Sequence, residues 1–207
     1  MKLYIAPGAC SLGIHIILEE IGKPYEAIPV DFKNGAQYKP DYMAINPKSK
    51  VPALVRDDGS LLTEYPVIAM YLAKTNPEKN LAPKDMEGEV RCAEMLDYVC
   101  GTIHPQGFTR QFRPANFAKD EADHARVIEQ GKALATRYFN TLEANWKGGE
   151  WALPTGYSVA DSALFFVEYW ATRRSGMTLP PHLANHLGKM LARPAVQRML
   201  AQEGLAA

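Results

Sequence analysis

"VPALVRDDGSLLTE", residues 51–64, carries the clearest local signal in the chain. Two apolar runs flank Asp58-Gly59, a favoured pair for a tight turn between antiparallel strands. A helix follows: Pro66 suits a first helical position, and Val67, Met70, Tyr71 and Leu72 supply its apolar side. Upstream, residues 2–6 suit a short strand and residues 11–21 a helix closed by Gly22. "YEAIPVDF", residues 25–32, reads as a second strand that Pro29 confines to a sheet edge. The order is β-α-β, a connecting segment, then β-β-α.

A parallel pair plus a hairpin in that order predicts a thioredoxin-like sheet over residues 1–77. "KTNPEKNLAPKD", residues 74–85, lacks periodicity and reads as a linker. Beyond it strand signals vanish. Residues 86–112 and 120–146 read as long helices, and "WKGGEW" (146–151) breaks the pattern. In "SVADSALFFVEYWATRR", Ser158 with Asp161 resembles a capping box, and the run after it is apolar on nearly every side, as in a central buried helix. Shorter helices near 181–192 and 194–203 close the chain. The expected fold is an α/β thioredoxin-like N-terminal domain, 1–77, followed by an all-α domain, 86–207.

Composition narrows the function. The 207 residues are 47% hydrophobic, ample for a packed core, and hold 23 basic and 23 acidic side chains. The balance holds locally, since residues 1–80 carry nine of each. No segment has the basic excess that binding a phosphate backbone needs, so nucleic acid is excluded as a partner. Cys10, Cys92 and Cys100 form no metal-site or C-x-x-C spacing, and their odd number argues against a disulfide framework. That fits a reducing compartment. The N-terminus reads as a strand, not a signal peptide, and no apolar run approaches a membrane span. The expectation is a soluble, cytoplasmic protein without a membrane partner.

Cys10 stands at the mouth of the first helix, where free N–H groups and the helix dipole favour a thiolate. The alternative is a small buried residue that happens to precede a helix. His182 and His186 are spaced as metal ligands, but no neighbouring carboxylate or cysteine in the sequence supports a metal, and a solvated face is the expectation.

"NPKSKVPAL" (46–54), "LLTE" (61–64), "YSVADSALF" (157–165) and "ARPAVQRML" (192–200), in this order and spacing, resemble the cytosolic glutathione transferase family over essentially the whole chain. "KLYIAPGACSLGIHIILEE" and His104 in "IHPQGF" make it most similar to the bacterial beta class. The resemblance implies a homodimer that conjugates glutathione, a co-substrate and not a cofactor, to a hydrophobic electrophile or exchanges it in a thiol-disulfide reaction, with no metal. It places the glutathione sulfur at Cys10 and Ser11, with Tyr4 as a third candidate activator. Val51 before a cis Pro52 would pair with the cysteinyl part of glutathione, an ordinary trans proline being the alternative. Glu64 and the backbone of Tyr65 would receive the γ-glutamyl end, although a helix-capping role for Glu64 stays open.

Relatives often carry serine or glycine after this glutamate. Here Tyr65-Pro66 keeps the backbone N–H of Tyr65 but offers no serine hydroxyl, and Pro66 has no N–H. Lys33 is a candidate for a peptide carboxylate. Asp97 and His104, seven apart on one helix, would share a face, with Asp97 reaching the neighbouring subunit's glutathione and His104 facing the thiol. Phe108, Phe112 and Phe117 would wall the electrophile pocket or belong to the core. Alternatives are a glutathione-dependent isomerase, dehalogenase or oxidoreductase on the same scaffold, or a non-catalytic ligand-binding module.

Overall fold

Leu3, Leu54 and Leu62 lie abreast on neighbouring strands and mark the centre of a four-stranded sheet. In the computed structural model, which describes residues 1–147 and 149–206, the strands are β1 (Lys2–Ile5), β2 (Glu26–Pro29), β3 (Ala53–Val55) and β4 (Leu61–Thr63). Their order is β2-β1-β3-β4. β1 runs parallel to β2 and antiparallel to β3, which pairs antiparallel with β4. Pro29 ends the edge strand, where its missing N–H costs no ladder bond. The β3–β4 loop is one residue longer than a tight two-residue turn. Gly59 N–H reaches Arg56 O at 3.0 Å, and Gly59 takes the left-handed position at φ +81°.

Helix α1 (Ser11–Ile21) is buried on almost every side, with Leu12, Ile14, Ile16, Ile17 and Leu18 essentially inaccessible. A short helix α2 (Pro40–Ile45) and two 3₁₀ turns fill the connection to β3, and α3 (Tyr65–Lys74) follows β4. Met1–Ala82 forms one compact unit with Leu191–Ala207, and Pro83–Met190 forms the other. This departs from the expected second domain, 86–207. The reason is helix α9 (Pro194–Gln202), whose Val196, Met199 and Leu200 are buried while Arg193 and Arg198 bind Glu20 and Glu19 of α1 at 2.7 and 2.6 Å.

The second unit holds α4 (Met86–Asp97), α5 (Thr109–Phe112), α6 (His124–Ala144), α7 (Val159–Arg173) and most of α8 (Pro181–Ala192). Between α4 and α5, Tyr98–Phe108 winds as a π-helix, whose N–H groups reach back five residues. Pro105 explains the widening. It lacks an N–H, and in α-winding its ring would strike the carbonyl of Gly101.

The Ser158–Asp161 capping box forms as expected, and Val159 to Ala171 of α7 are all buried. Gly148 of the "WKGGEW" break, and Ala207 at the end of the expected second domain, lie outside the described residues. Among the described residues, no helix is long and apolar enough to cross a membrane.

Candidate functional site

In the first unit, the loop Ala6–Cys10 delivers Cys10 to the start of α1, immediately before Ser11. The half-buried thiol donates to Val51 O at 3.3 Å, so two residues 41 apart in sequence meet directly. Burial pushes the Cys10 thiol up to about 12; the N–H groups of Cys10 and Ser11 and the charge of Lys50 oppose it and lose. The helix-mouth thiolate expected from position is therefore a protonated thiol. Desolvation outweighs the helix field.

Ser11 is buried completely. Its hydroxyl accepts from Ala6 N at 3.3 Å and lies 3.4 Å from Ala6 O. It closes the loop from inside. Tyr4 packs edge-on to Tyr42, 5.6 Å between rings, against the cluster of Ala6, Val30, Tyr42 and Val51.

The Val51-Pro52 peptide is cis, as the resemblance implied. The Lys50 carbonyl just before it accepts from Tyr42 Oη at 2.6 Å and Asn46 Nδ2 at 2.8 Å. Asn46 also accepts from Lys48 N at 3.1 Å, closing an Asx turn. Tyr42 and Asn46, absent from the sequence candidates, thus hold Val51 in place. The Asn-Pro pair before the cis-proline segment was the available signal for Asn46; nothing local marked Tyr42.

Glu64 precedes α3 with φ +70°, a left-handed conformation that costs a side-chain-bearing residue about 1–3 kcal/mol. Its side chain makes no cap hydrogen bond, so the helix-capping alternative does not hold. Its exposed carboxylate instead takes Lys48 Nζ at 2.6 Å, and the same ammonium donates to Thr63 Oγ1 at 2.9 Å. Lys48 was also missed. Tyr65 opens α3 with its side chain buried. Lys33 sits exposed on the 3₁₀ turn Phe32–Asn34 and makes no hydrogen bond or ion pair with Cys10, Val51 or Glu64.

The second unit holds the remaining candidates. His104, half-buried, lies edge-on to Trp170 and Phe166 of α7, with rings 4.9 and 5.7 Å apart. Asp97 is exposed at the end of α4. The turns between them are π-helical, so seven residues fall short of the two full turns that would bring them to one face: the wider winding turns each step through a smaller angle than an α-helix does.

Phe108 is a core residue, fully buried beside Phe139 and Trp170. Phe112 and Phe117 are reached by solvent but covered by cations, with the Arg174 and Arg110 guanidiniums 4.0 and 4.3 Å from their ring centres. His186 departs from the expected solvated face. It is inaccessible, with Nδ1 2.8 Å from Glu168 and Nε2 3.1 Å from Asp161. His182 is exposed and pairs with Glu143 at 2.7 Å. Among the described residues, no group of three or more His, Cys, Asp or Glu could hold a metal ion.

Residues 8–75 match the family described as glutathione S-transferase, N-terminal domain. Glutathione S-transferase GstA of Escherichia coli O157:H7 is 37% identical over 99% of this chain and 100% of its own. The bacterial beta class glutathione S-transferase of Sphingomonas chungbukensis superposes with a TM-score of 0.87 at 32% identity, covering 100% of both chains. A glutathione transferase homologue from Sulfitobacter, solved with bound glutathione, gives a TM-score of 0.89 at 29% identity over 99% of this chain and 98% of that one. With a relative this similar along its full length and the same sheet and helical units, the chain belongs to the glutathione S-transferase family.

Proposed function

We propose that the chain binds glutathione on its first unit and transfers the thiolate to a hydrophobic electrophile, with Cys10 acting as a hydrogen-bond donor and not as a nucleophile. The Cys10–Val51 contact of 3.3 Å carries this reading. A peptide N–H of glutathione pairing with the Val51 carbonyl would take the acceptor that Cys10 now uses. The displaced S–H then turns to the incoming sulfur and stabilises it as a thiolate, while the thiol proton leaves to solvent. The thiolate attacks the electrophilic carbon, the carbon–sulfur bond forms, and the leaving group departs with its electron pair. A thiol held at about 12 stays protonated at neutral pH and suits donation better than disulfide exchange.

Glu64 offers a carboxylate to the γ-glutamyl ammonium, which replaces Lys48 there, and the Tyr65 N–H at the start of α3 faces the attached carboxylate. Pro66 supplies no further donor. In this reading the enzyme is a cytoplasmic homodimer, Asp97 reaches the partner's glutathione, Lys33 is a peripheral carboxylate contact, and His104 lines the electrophile's path. Glutathione bound in the Sulfitobacter homologue supports the ligand.

Turnover of 1-chloro-2,4-dinitrobenzene tests the assignment. Cys10→Ser, which keeps a donor, should hold the rate within about tenfold, and Cys10→Ala should lose more than that. Equal, near-complete loss in both would restore Cys10 as the nucleophile.

A further inference from the structure

We propose that Glu203, beyond the end of α9, is a positioning residue for this reaction, fixing the loop that presents Cys10. Its carboxylate is buried and divided between two partners: Oε2 accepts from Gly8 N at 2.9 Å, and Oε1 lies 2.8 Å from His15 Nδ1. Gly8 lies two residues before Cys10 and His15 five residues after it. One charged group therefore grips both sides of the joint from which the thiol projects.

The rest of the surroundings hold that grip in place. His15 Nε2 lies 2.7 Å from Gln202 Oε1, which also accepts from Tyr25 Oη at 3.2 Å. Gln202 Nε2 donates to Glu19 on α1 at 2.9 Å. Gly8, at φ +75°, has the backbone conformation that aims its N–H at the carboxylate, and the space where a Cβ would stand ends at Leu205 Cδ2, 3.8 Å away. The C-terminal turn is fixed in its own right, since Leu205 N donates to Leu200 O at 2.8 Å. Ser11 ties the loop from inside through Ala6, and Glu203 ties it from outside. With both in place the thiol meets Val51; without Glu203, two charge-assisted bonds to the loop and helix are lost together.

The inference rests on the proposed reaction, so its test carries one readout that needs no turnover. Glu203→Gln keeps the size of the side chain and removes the charge; Glu203→Asp keeps the charge and shortens the reach. In Glu203→Gln, kcat with 1-chloro-2,4-dinitrobenzene should fall about tenfold, with KM for glutathione within about twofold, because Val51 and Glu64 are untouched. Alkylation of Cys10 by iodoacetamide at pH 8, read by mass spectrometry, should quicken about fivefold as the thiol loses its enclosure. Glu203→Asp should recover part of both changes.

A purely structural Glu203 would leave kcat and the alkylation rate within about twofold of wild type in folded variants, and that result overturns the proposal. An equal fall in kcat and in glutathione affinity, with alkylation unchanged, overturns it too. If either variant fails to melt cooperatively, the other decides by the same two readouts. A wild-type chain that turns over no electrophile defeats the proposed function instead, and the alkylation rates then decide the role of Glu203 alone.

Discussion

Cys10 shows how far a local reading reaches. The sequence places it at a helix mouth, and it is there, but burial outweighs the helix field at its thiol, and the thiol's acceptor, Val51 O, comes from 41 residues away. Iodoacetamide modification of Cys10 should therefore rise with pH about tenfold per unit from 8 to 10 without levelling. A plateau below pH 9 would mean that the helix field prevails after all. Glu64 makes a second case. Its place just before α3 was legible, whereas its φ of +70° was not, because the left-handed geometry is imposed by the turn from β4 into α3. Glu64→Gly should raise the unfolding free energy by about 1 kcal/mol in urea melts, relieving the backbone while weakening glutathione about tenfold in calorimetric titration. A variant both less stable and tighter-binding would contradict the strain and the role together.

Elements whose signals are local were legible: the hairpin through Asp58-Gly59 and the capped, largely apolar and buried α7. The π-helical stretch was not, because its cause is a pairing of Pro105 with Gly101 four residues back, and hydrophobic periodicity carries no mark of it. The setting of α8 was equally hidden. His186 meets Asp161 and Glu168 only once α8 lies against α7, and a sequence window over 181–192 contains neither carboxylate. Burial draws the His186 pKa down, but the Glu168 and Asp161 carboxylates overcome it and raise it to about 10.

A raised folded pKa stabilises fully below the unfolded value near 6.5 and is lost as pH rises through about 10. Melting temperature should accordingly decline across that window, and the decline should be missing in His186→Ala. That variant should also lose about 3–5 kcal/mol at pH 7, since it strands buried carboxylates. A cost under about 1 kcal/mol by urea denaturation would show the triad to be dispensable.

For the molecule as a whole, the thioredoxin-like sheet and the helical second half were readable, and with them the family. The boundary after the second unit was not, because α9 looks like any other amphipathic helix until its partners on α1 are known. Two expected outcomes belong to this scale. Millimolar glutathione should raise the melting temperature, by the equivalent of about 2.7 kcal/mol at a hundredfold excess over Kd, and Glu64→Ala should blunt the rise. Light scattering at micromolar concentration should give about twice the chain mass of 23.0 kDa. A clean monomer would remove the proposed cross-subunit role of Asp97 and leave Cys10 untouched.

On the ribosome, the four strands and α1 emerge early, yet the helix that covers one face of α1, and the carboxylate that clasps Gly8, lie beyond residue 190. Domains usually close in the order in which they are made. Here the second unit is synthesised whole while the first still waits for its final helix. Nascent chains halted before that point should carry an α1 with its α9-facing side still open and a Cys10 loop without its clasp.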